Sequence, residues 1–142
     1  MVDSTACGVL RLELLDDVPV ARLTESVPDF DHAVDLLTAA ICTAVAEGHP
    51  HLLMDGRACA FAAPSLAERL HMVRLWAEAA DGRLRIAMLV RPSFIDPDRF
   101  GVVAAGNFGL ASQVFAHEAE ALAWLREEHA AQLQRGAGPR GD

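Results

Sequence analysis

Lysine and tyrosine are missing from this chain, so all 12 of its Lys-plus-Arg residues are arginine. Without lysine there is no Schiff base, no pyridoxal-phosphate anchor and no phosphate-loop lysine, which removes those enzyme classes. Cysteine is scarce: Cys7, Cys42 and Cys59 are odd in number, far apart and never in C-x-x-C spacing. They read as reduced intracellular thiols rather than a disulfide framework or a zinc site. Long apolar runs are absent too, none approaching the ~18 residues of a membrane span. Met1 to Gly8 offers neither a basic nor an apolar signal region, so no signal peptide is expected. Positive charge is in deficit, with a net charge of −8 and a pI near 5.1. That balance argues against a phosphate-backbone partner. The expectation is a soluble, cytoplasmic protein with no nucleic-acid partner, no membrane span, no metal and no cofactor.

The chain has 142 residues, enough for one domain that buries about two-thirds of its unfolded surface. Apolar types reach 52%, but 26 residues are alanine, so Leu, Val, Ile, Phe and Trp must supply the core. Neither an internal repeat nor a linker between two cores is visible. The expected organisation is a flexible N-terminus (1–8), a single domain (9–131) and a disordered tail (132–142) that includes RGAGPRGD.

Val9 to Leu15 alternates, with Leu10, Leu12 and Leu14 on one face and Arg11 and Glu13 on the other, as in a half-buried strand. Asp16-Asp17 forms a two-residue turn into a second strand, Val18 to Leu23. Its Pro19 requires either an edge strand or a place at the strand start. Asp29 or Asp31 caps a helix to about Glu47, with Val34, Leu37, Ile41 and Val45 as its apolar stripe and Gly48 as its stop. His51 to Asp55 suits a buried strand. A second helix runs from Ser65 or Leu66 to Ala80, with Leu66, Leu70, Val73 and Ala77 inward, and Asp81-Gly82 ends it. Leu84 to Val90 reads as an inner strand of a parallel sheet. A weaker helix near Pro97 to Asn107, a strand near Ser112 to Ala116 and a last helix from His117 complete the pattern. The fold class is therefore α/β: a mixed central sheet of about five strands, opened by a β-hairpin, with about four helices packed on it.

The strongest local signal is Ser65-Leu66-Ala67-Glu68, an S-x-x-E capping box. It either caps a helix and nothing more, or places a hydroxyl where a helix N-terminus would stabilise an added phosphate. Asp55 at the end of a buried strand, with Arg57 two residues on, sits where α/β proteins put functional groups. It serves there either as a loop cap paired with Arg57 or as a reactive carboxylate. His49-Pro50-His51 brackets a turn and reads as two surface histidines rather than a metal site. His117-Glu118 begins like a zinc-protease helix, but Ala121 stands where the second histidine belongs. Gly101 to Gly109 is neither a dinucleotide nor a phosphate loop, and Arg140-Gly141-Asp142 is a chance integrin tripeptide. The apolar loop Ala58 to Ala63 and the region Phe94 to Phe108 are either pocket lining or the ordinary underside of two helices.

The stretch LLMDGRACAFAAPSLAERL (Leu52 to Leu70) and the closing VFAHEAEALAWL (Val114 to Leu125) resemble the STAS domain family and its SpoIIAA-like relatives. The resemblance covers roughly Gly8 to Glu128 and lies in the order of elements more than in any motif. It implies a regulatory domain of the anti-sigma-factor-antagonist kind, in which a partner kinase phosphorylates a serine in an Asp-Ser-Ser-Gly-like tract. Ser65 holds the place of that serine, making it the phosphorylation candidate. Around it, Ala63 replaces the aspartate, Pro64 the first serine and Leu66 the glycine, so a kinase would meet a different shape and charge there. The expected partner surface comprises Arg57, Phe61, Pro64, Ser65 and Glu68. The partner would be a kinase-like anti-sigma factor or a second copy joined through an exposed sheet edge. Because SpoIIAA-like and Sec14-like relatives include carriers of apolar ligands, a small apolar ligand in a pocket is an alternative. A small enzyme using Asp55 is a third.

Overall fold

The structure, a computed structural model, describes residues 9–95 and 106–137, with side chains described as far as 127. It begins with a hairpin of β1 (Leu10–Leu15) and β2 (Val18–Leu23). Asp16 and Asp17 have φ of 50° and 74°, the doubly left-handed turn whose twist matches the flanking strands. Next come α1 (Phe30–Ala46), β3 (His51–Asp55), α2 (Leu66–Ala80), β4 (Arg85–Leu89), a 3-10 turn (Pro92–Phe94), β5 (Ala111–Phe115) and α3 (Glu118–Ala137). The result is an α/β fold with a five-stranded mixed sheet and, among the described residues, three α-helices. The helix expected near Pro97 to Asn107 falls largely outside the described residues, as do 1–8 and 138–142. Helix α3 extends to Ala137.

Strand order in the sheet is simply β1-β2-β3-β4-β5, with the first pair antiparallel and the rest parallel. Pro19 therefore lies in an inner strand, not an edge. It is tolerated because the β2–β3 register covers only Val20 to Arg22, leaving the proline ahead of that ladder. The two crossover helices, α1 and α2, share one face of the sheet, and α3 covers the other.

On the first face, Ile41, Leu37 and Ala44 of α1 meet Val73, Trp76 and Ala80 of α2 over Leu52, Met54 and Ile86. Trp76 buries its ring and donates its indole N–H to Thr38 Oγ1 at 3.1 Å, so no polar atom is stranded. On the other face Ala121 and Leu125 pack on Val20, Leu53, Ala87 and Leu89. Full burial of the valine and leucines among these contributes about 1.5–3 kcal/mol each.

Three expectations about burial are corrected. Leu12 and Leu14 are 42% and 63% exposed, and only Leu10 of the β1 leucines is buried. Helix α1 packs on β2 and β3, so the outer strand projects beyond the helix layer. Leu66 is 58% exposed, because the first turn of α2 overhangs the core and the inward stripe is Val73, Trp76 and Ala80. His51 is buried in β3 rather than on the surface; only His49 of that pair is partly open, near Glu47.

Candidate functional site

Parallel strands end together, so the C-terminal ends of β3, β4 and β5 carry their loops to one rim of the sheet. Two clusters of side chains form there.

The first is ionic. Asp55, the last residue of β3, turns its carboxylate back on its own loop and accepts from the Arg57 backbone N–H, Nε and Nη2, each at 3.0 Å. Arg22 reaches across from β2 and donates to Asp55 Oδ2 at 2.8 Å and to Glu118 Oε1, at the start of α3, at 2.8 Å. It also pairs with Glu13 of β1. Arg57 Nη2 lies 3.5 Å from the same Glu118 oxygen. Burial pushes the Asp55 carboxyl up, but hydrogen bonds and charge from Arg57 and Arg22 outweigh it and leave the group below its ordinary value. Glu118, Glu13 and Asp55 hold the Arg22 guanidinium firmly protonated against its burial. A carboxylate with both oxygens occupied by guanidinium groups is a poor proton acceptor, and what this cluster does is tie β1, β2, β3 and α3 together at one rim.

The second cluster is the start of α2. Ser65 is the N-cap: its hydroxyl accepts from Glu68 N–H at 3.2 Å, and Glu68 Oε1 accepts from Ser65 N–H at 2.8 Å. The capping box forms as its spacing demands. Ser65, Leu66 and Glu68 are all exposed. Pro64 and Phe61 instead line an apolar cavity of about 100 Å³ beneath the helices. Phe30, Phe61 and Phe94 form an aromatic row along it, with ring centroids 6.3 and 6.0 Å apart. Two arginines fix that row: Arg91 donates to Phe61 O and Arg69 to Phe94 O, each at 3.0 Å, and the Arg91 guanidinium lies 4.6 Å from the centroid of Phe94. Cys59 also lines the cavity, and burial pushes its thiol up to about 11.

The five residues expected to form one partner surface thus divide. Ser65 and Glu68 stay together at the cap, Phe61 and Pro64 face the cavity, and Arg57 is drawn to Asp55 and Glu118. No family model matches the chain, and no curated protein matches it either. Among the described residues no three His, Cys, Asp or Glu side chains are grouped to hold a metal ion, and no helix is long and apolar enough to cross a membrane. Sequence reasoning missed Arg22, Glu118, Arg69 and Arg91. The only local hint was an arginine inside an otherwise apolar strand: Arg22 needed a buried partner, and the chain did not say which.

Proposed function

We propose that this chain is a non-catalytic regulatory domain of the STAS/SpoIIAA-like kind that meets a protein partner at the start of α2. The observation that carries the reading is the exposed pair Ser65-Leu66: a large apolar side chain left in water, beside a hydroxyl presented by a closed capping box. Leu66 is one side chain and not a patch, so the weight falls on the hydroxyl beside it, with the leucine as the apolar neighbour that a partner would cover. The hairpin followed by parallel crossover strands also supports the family resemblance. A kinase-like anti-sigma factor in the cytoplasm is the partner that the resemblance suggests. Transfer of a phosphoryl group from ATP to Ser65 Oγ, with loss of the hydroxyl proton, would add about −1.5 to −2 charges at the helix N-terminus. Glu68 sits in the same cap, so its carboxylate would be repelled from the Ser65 N–H and the surface would change while the helix stayed capped.

The test compares wild type with Ser65→Asp and Leu66→Ser as baits in quantitative affinity capture. Aspartate is itself a good N-cap, so Ser65→Asp separates surface from stability. A protein retained by wild type and lost with both variants, at unchanged melting temperature, is the expected result. Equal recovery with all three baits ends the reading.

The cavity favours a second reading, a small apolar ligand. A cavity of about 150 Å³ admits benzene, so the smaller space here suits roughly three or four non-hydrogen atoms and not an acyl chain. A rise in melting temperature in cyclopropane-saturated buffer supports this reading, and no shift rejects it.

A further inference from the structure

Strand β1 is an edge of the sheet, paired only with β2 among the described strands. Natural edges are commonly blunted by charged side chains, lysine above all, by proline, by bulges or by a covering element; the two charges here, Arg11 and Glu13, are of opposite sign and can pair with a second copy. Leu-Arg-Leu-Glu-Leu-Leu carries no lysine or proline, and its register with β2 is unbroken over all six residues. Leu12 and Leu14 stand in the water on one face.

The ladder fixes which backbone groups remain free. Thr24 N–H donates to Val9 O, and β1 and β2 pair with residue numbers that sum to 33. The odd-numbered β1 residues therefore exchange hydrogen bonds with β2. In an antiparallel ladder the alternate residues, Leu10, Leu12 and Leu14, point their N–H and C=O to the open edge.

Side-chain charge selects what fits there. If a second copy of β1 runs antiparallel with Leu12 opposite Leu12, then Leu10 lies opposite Leu14 and Arg11 opposite Glu13. The outward groups of Leu10, Leu12 and Leu14 meet their like in reciprocal hydrogen bonds. The two Arg11–Glu13 pairs fall at the non-hydrogen-bonded positions, where side chains come closest. Arg11 is exposed and lies directly opposite Arg22, whose guanidinium already engages Glu13, Asp55 and Glu118. Glu13 is exposed and engages Arg22 through Oε2 alone.

We propose that the protein is a two-fold homodimer joined edge to edge through β1, giving one ten-stranded sheet centred on Leu12. The strand complements itself in both charge and apolar pattern, which a foreign strand would have to match by chance. The axis stands perpendicular to the sheet, so the exposed leucines of both copies fall on the same face and cover one another. This inference is independent of the role of Ser65.

Sedimentation equilibrium of the full chain up to about 100 μM tests it, a range suited to a small interface. Arg11→Glu and Glu13→Arg each place like charges opposite one another twice, and each alone weakens the dimer by about tenfold or more. Mixed together, the two variants become complementary and associate. A wild type that stays monomeric, single variants that dimerise as well as wild type, or a mixture that fails to associate would each overturn the proposal. Should a variant fail to fold, hydrogen exchange on wild type decides the matter. The amides of Leu12 and Leu14 are expected to slow at least about tenfold between dilute and concentrated protein, as closure of a free edge requires. Concentration-independent exchange there overturns the dimer.

Discussion

Asp55→Asn keeps the shape of the side chain and removes one charge, so it isolates the electrostatics of the rim. The Arg57 guanidinium is 39% exposed, and its pair with Asp55 is worth about 0.5 kcal/mol after screening by water. The Arg22 pair is nearly closed to solvent, with 13% and 9% of the two side chains exposed. Breaking a buried pair costs about 3–5 kcal/mol when it strands a charge. Arg22 keeps Glu13 and Glu118, which brings its share down to about 2 kcal/mol. The expected loss at pH 7 is therefore about 2–3 kcal/mol, a large part of the stability of a domain this size. Since the folded-state value of Asp55 lies below its ordinary 3.8, its stabilisation is complete well above that value and disappears as pH falls through the folded value. The gap between wild type and variant should hold steady from about pH 8 to pH 5 and close below. Urea unfolding followed by tryptophan fluorescence measures it. A gap under about 0.5 kcal/mol at pH 7 refutes the account of the cluster, as does one that persists undiminished once the carboxylate is protonated.

Ser65→Ala should destabilise by about 1 kcal/mol while Ser65→Asp stays close to wild type, since only alanine removes the N-cap acceptor; thermal melts of the pair check this. Asp17→Gly should stabilise by about 0.5–1 kcal/mol in chemical denaturation, because glycine adopts the left-handed turn position without steric cost. Iodoacetamide at pH 8 should alkylate Cys42, which is exposed, well before Cys59, which is buried with its thiol raised to about 11; peptide mapping by mass spectrometry reads the order.

Much of the architecture could be read from local chemistry. The stop and start signals Asp29 or Asp31, Gly48, Ser65 and Asp81-Gly82 placed both crossover helices within about two residues, since capping is decided by neighbours in the chain, and the cap of α1 is Asp29. Strand β2 and strand β3 were bounded as observed. Periodicity failed where tertiary packing decides. The alternation in β1 is real, but which helix would cover Leu12 and Leu14 depends on how far α1 reaches across the sheet. Leu66 matched the helical spacing yet lies one turn beyond the core. Asp55 with Arg57 was visible as a pair two residues apart. Arg22 and Glu118, 33 and 63 residues from Asp55, join it only through strand register and the docking of α3.

The strand order β1 through β5 also shapes how the molecule is made. Every strand docks on the one synthesised just before it, so loop closures stay short and the sheet can extend in step with translation. The face of Val20, Leu53, Ala87 and Leu89 has no such advantage, because its cover, α3, emerges only after all five strands. On the ribosome that surface waits bare until α3 arrives, which makes the interval between β5 and α3 a stage at which a nascent chain needs protection from its neighbours.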